Sequence, residues 1–175
     1  STTYVATLGR KAELADRLRA EFDRRFPVPP QVTLFLGDGA AWLRVIRRTH
    51  FPFAVEILDF YHAAEHLGPV LDLAGLAGKE RSRTFRKWRR WLKKGKVGQF
   101  IDTAQRLAAA DGQAARAKEW KKALRYFKDN RSRMKYDEYL ANGWFIGSGV
   151  VESGCKTVVG KRFKQSGMRW SKKGA

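Results

Sequence analysis

Hydrophobic positions change their spacing along this chain, and each change marks an element. From Lys11 to Phe26, Leu14, Leu18 and Phe22 share one face while Arg17, Arg19, Arg24 and Arg25 fall on the other. That is the stripe of an amphipathic helix. Pro27, Pro29 and Pro30 stop it. Val32, Leu34 and Leu36 then alternate with other residues, which predicts a strand. Gly37-Asp38-Gly39 breaks that run, and the helix-compatible AAWLRVIRR follows. After Pro52 a second β-rich run, Phe53 to Leu58, ends at Asp59 and leads into FYHAAEHL. A helix-length crossover between the two strands predicts that they run parallel. Ahead of all this, residues 4–8, YVATL, read as a short edge strand.

Beyond Leu58 the spacing turns helical. The helix opened by Tyr61 to His66 is expected to continue through Val70, Leu71 and Leu73. Between Lys79 and about Asn130 three amphipathic helices are predicted. Phe85, Trp88 and Leu92 mark the first, and Val97, Phe100, Ile101, Ala104 and Leu107 the second. Ala117, Trp120, Leu124 and Phe127 mark the third. Arg131 to Asn142 reads as a loop. In the closing WFIGSGVVESGCKTVVGKRFKQSGMRW, Ser148 is a candidate N-cap that would put Glu152 in the first turn of a helix. The expected organisation is α/β: residues 1–67 and 146–175 form the α/β part, and residues 68–145 form an all-helical insertion.

Charge adds a partner to this outline. The 36 Lys and Arg outnumber 17 acids, for a net charge of +19. The asymmetry concentrates on the helices: Lys79 to Lys96 holds ten cations and one acid. Ordinary solvated faces mix both signs, so one-signed faces point to a polyanion, with nucleic acid ahead of an anionic membrane surface. No apolar run approaches the length of a membrane span, and STTYVATLGR has no signal-peptide core. A cytoplasmic, nucleoid-associated protein is expected. The single cysteine, Cys155, excludes an internal disulfide and reads as a small half-buried thiol.

Three carboxylates carry candidate chemistry. Asp38 and Asp59 end two neighbouring strands, at the edge of a parallel sheet where ligands gather. Glu152 is the third. Each has a plainer reading: Asp38 as a turn former, Asp59 as a helix cap, Glu152 as an ion pair with Lys156 four residues on. His62-Ala-Ala-Glu65-His66 matches an inverted zinc-protease signature, but two histidines packed at an interface is the better reading of five residues.

GDGAAW, ILDFYHAAEHL and IGSGVVESGCKTVVGKRFKQSGMRWS, in that order, resemble the bacterial insertion-sequence transposases of the DDE type, in the branch related to Mutator-like elements. The resemblance implies a ribonuclease H-like domain interrupted by a helical insertion before its last catalytic helix. It aligns Asp38 with the second catalytic Asp and Glu152 with the catalytic Glu, the two that would hold Mg²⁺ or Mn²⁺. Asp59 and His62 match the supporting C/D-x-x-H motif. It also implies double-stranded DNA as partner and a homo-oligomer on that DNA; the one-signed charge of the basic helices and the C-terminal segment assigns the phosphate contacts to Lys87, Arg89, Arg90, Lys93, Lys94, Lys161, Arg162 and Lys164. The family's first catalytic Asp has no counterpart, since no acidic residue precedes Glu13. Relatives also continue past MRWSKKGA. The chain is therefore expected to correspond to the C-terminal part of a catalytic domain. The alternative is a non-catalytic or domesticated DNA-binding remnant.

Overall fold

The computed structural model describes residues 3–7, 9–110, 112, 116–149 and 153, and these are mostly helical with a small parallel sheet. By packing, the chain divides into two compact units.

The first unit draws on Ser1–Phe35 and Ala40–Val55. Helix α1, Lys11–Arg25, sets Ala15, Leu18 and Phe22 against Ile46 and Trp42 of α2, Ala41–His50, and against Phe51 and Ala54. Phe22 meets Phe51 edge-on, with centroids 5.6 Å apart. The residues after Tyr4 correct the edge-strand expectation. Residues 3–7 lie in no strand, and side chains tie the segment to α1 instead. Thr7 donates to Glu13, and Arg17 donates to the Ala6 carbonyl.

Strands β1, Leu34–Gly37, and β2, Val55–Leu58, form a two-stranded sheet. The Val55 amide donates to the Thr33 carbonyl at 2.8 Å and the Asp59 amide to the Gly37 carbonyl at 2.7 Å. The offset is the same at both ends, as a parallel register requires.

The second unit comprises Leu36–Gly39 and Glu56–Gly147. It holds α3 (Phe60–Glu65), α4 (Leu67–Leu73), α5 (Gly78–Lys93), α6 (Val97–Ala110), α7 (Ala117–Asn130), a 3-10 turn (Arg131–Arg133) and α8 (Tyr136–Ala141). Trp88 packs edge-on to Phe100 at 5.2 Å and Phe100 to Phe127 at 4.6 Å, so one aromatic chain ties the three long helices together. The expected helix from Tyr61 to Leu73 is two helices meeting at His66. Pro69, in the first turn of α4, has no N–H for the Glu65 carbonyl and would crowd it in a continuous helix. The expected loop at 131–142 is instead the 3-10 turn and α8, with Tyr136 fully buried. Leu107, counted in the α6 stripe, faces solvent. No helix among the described residues is long and apolar enough to cross a membrane.

Candidate strand-end site and nucleic-acid interface

The second unit carries both features singled out by the sequence. Asp38 directly follows β1 and Asp59 directly follows β2, and the Asp59–Gly37 hydrogen bond sets the two strand ends side by side. Asp38 is exposed. Asp59 is 3% exposed, and its Oδ1 accepts the His62 amide at 2.8 Å, so it caps α3. The capping role is thus real, and it fixes the start of the helix that carries His62. Gly39 turns the chain after Asp38 at a φ of 88°, a conformation that suits glycine. A Cβ there would also fall 2.7 Å from Leu58 Cδ1.

His62 Nδ1 lies 3.5 Å from Glu65 Oε2, and its ring meets that of His66 at 5.1 Å. His66 in turn stacks on Tyr126 of α7, with centroids 3.6 Å apart. Burial, with His62 beside it, holds the His66 imidazole below its usual pKa, against the opposing pull of Glu65. Burial pushes the Tyr126 phenol up; Arg133 opposes this, while Asp38, Asp59 and Glu65 reinforce it. A Cβ on Gly39 would lie 3.7 Å from the Tyr126 hydroxyl, so the helical region reaches the end of β1 through Tyr126.

Arg133 lies beneath this edge. It is buried, ion-paired to Glu56 of β2 and hydrogen-bonded to Asn130. Removing one partner of such a pair strands a buried charge. Among the described residues the Tyr126 and Tyr136 hydroxyls and Arg133 Nε make no hydrogen bond. Sequence reasoning missed Tyr126 and Arg133. Arg133 sat in a presumed basic loop, and its partner lies 77 residues away.

Helix α5 supplies the basic face. Arg83, Arg86, Lys87, Arg89, Arg90, Lys93 and the following Lys94 are all exposed. They do not behave alike. Lys87 lies over the Trp91 ring at 4.9 Å, and Arg89 lies over Phe60 at 5.3 Å and Tyr61 at 5.8 Å. Among the described residues Arg83, Arg86, Arg90, Lys93 and Lys94 make no ion pair, whereas Arg81 binds Asp72 at 2.8 Å. On α7, Lys118, Lys121, Lys122, Arg125 and Lys128 are exposed as well.

Glu152, Lys161, Arg162, Lys164 and Cys155 lie outside the described residues. Among the described residues no three His, Cys, Asp or Glu side chains form a group able to hold a metal ion. Comparison with protein-family models, with curated proteins and with solved structures yields no match.

Proposed function

We propose that the chain is part of the ribonuclease H-like catalytic domain of a DDE-type transposase, acting on double-stranded DNA in metal-dependent cleavage and strand transfer. One observation carries the reading: a single compact unit joins the strand-end carboxylates to the basic helices α5 and α7. A surface that grips phosphates and an edge that offers carboxylates then belong to one body.

Mg²⁺ takes hard oxygen donors, and the exposed carboxylate of Asp38 at a strand end is such a donor. Asp38 and Glu152 would hold the ion. When bound it polarises a phosphoryl oxygen and lowers the pKa of the attacking hydroxyl or water. Asp59, buried and capping α3, orients His62 and does not need to be a ligand. The exposed cations of α5 hold the DNA backbone against this edge.

A second reading, a DNA-binding remnant without catalysis, is favoured by the same Asp59. Its buried cap supplies a structural reason for the residue that needs no chemistry.

Calorimetric titration with Mn²⁺ separates the two. Asp38→Asn and Glu152→Gln should each weaken binding by at least about tenfold, the loss of one charged ligand. Titrations indifferent to both substitutions would remove the shared metal site and leave the remnant reading.

A further inference from the structure

Beside the strand ends the second unit exposes two large rings. Tyr61, two residues past Asp59 in the first turn of α3, is 56% exposed, and Phe145 is 76% exposed. Single exposed aromatics are common on protein surfaces, but Tyr61 is held in place. The Ile146 carbonyl accepts the Phe60 amide at 2.8 Å, so residues 145–147 run alongside the start of α3. Gly147 makes room for the Tyr61 ring, since a Cβ there would fall 2.5 Å from its Cε2. The guanidinium of Arg89 sits over the same ring at 5.8 Å. A tyrosine ring and an arginine plane, both exposed and already in contact, stand where the basic helix meets the carboxylate edge.

We propose that Tyr61 and Arg89 form a stacking platform for an unpaired nucleobase, flanked by Phe145, so that the DNA taken at this edge is locally unpaired. The proposal rests on the reading of the chain as a DNA-binding domain. Aromatic rings and guanidinium planes stack on the π-face of any base, which an intact duplex keeps covered. An uncharged base also suits the position better than a phosphate. The carboxylates of Asp59, two residues before Tyr61, and of Glu65, four residues after it, would repel an anion there. The phosphates on either side of the unpaired base fall to Arg90, Lys93 and Lys94.

The test compares a duplex with the same duplex carrying a few central unpaired bases, one of them 2-aminopurine. The full chain should bind the interrupted DNA roughly 5- to 150-fold more tightly, the range expected for stacking one base, and quench the 2-aminopurine. Tyr61→Ala and Arg89→Ala should abolish the preference, and Tyr61→Trp should keep it. Lys93→Ala with Lys94→Ala should weaken both DNAs alike. Equal binding of the two DNAs with no quenching, while duplex binding stays salt-sensitive, would overturn the platform and leave the DNA reading standing. Failure to bind either DNA would remove both. If Tyr61→Ala disrupted self-association but left the two DNAs bound as before, the rings would be a protein contact and the proposal wrong.

Discussion

Helices α1 and α5 have 15 and 16 residues, and both are rich in arginine, yet they handle charge in opposite ways. Helix α1 interleaves five cations with four acids and pairs them within itself: Arg17 with Glu13 at 2.7 Å, Arg19 with Asp23 and Arg24 with Glu21 at 2.8 Å. Its outer face is close to neutral. Helix α5 sets eight cations against Glu80, and places like charges three and four residues apart, as in Arg83–Arg86–Arg90. Each such pair destabilises a helix by roughly 0.2–0.5 kcal/mol. The inner face of α5, where Trp88 and Leu92 are buried, must therefore hold the helix against its own surface. A solvated face has no reason to carry that repulsion. A face that meets phosphates does, because the partner relieves it.

The largest expected effect lies on those inner faces. Trp88→Ala should destabilise the second unit by about 3–5 kcal/mol in denaturant melts, as large aromatic truncations in cores do. Leu18→Ala on α1, half-buried, should cost only about 1 kcal/mol. Similar losses at the two positions would mean that α5 does not depend on its core more than α1 does.

Next comes DNA. Reversing two charges on α5, Arg86→Glu with Arg90→Glu, should lower duplex affinity on the order of 100-fold at low salt by fluorescence anisotropy. The matched pair on α1, Arg17→Glu with Arg24→Glu, should change it by less than about threefold, because α1 offers no one-signed face. Equal losses would make binding a matter of net charge alone.

The smallest effect has a sign that separates the helices. Arg17→Ala removes an attractive pair and should lower stability by a few tenths of a kcal/mol. Arg86→Ala removes repulsion and should leave stability unchanged or raise it by a similar amount. High salt should erase both differences.

Much of this was open to sequence reasoning where a period had room to repeat. Helices α1, α5, α6 and α7 show their stripes over three or four turns, and both strands end at the Asp residues expected of them. Short or interrupted elements were not legible. Tyr136 and Tyr139 are both buried, but three residues apart they span only one turn, too little to reveal α8. The Tyr4 segment alternates like a strand yet forms no ladder, and its contacts run to α1 through side chains. The positions of Asp38 and Asp59 were legible because each directly follows a strand, and that of His62 because it lies three residues past Asp59, in the helix that Asp59 caps. Tyr126 and Arg133 were not, since their meaning depends on contacts with His66 and Glu56, far away in sequence.

The most direct measurement is the salt dependence of duplex binding by the wild-type chain and by Arg83→Ala, Arg86→Ala and Arg90→Ala on α5. Log affinity should fall linearly with log salt, and each α5 substitution should flatten the slope by about 0.9, one phosphate contact apiece. Affinity unchanged between about 50 and 200 mM salt, or a slope indifferent to all three substitutions, would contradict α5 as the DNA-gripping face.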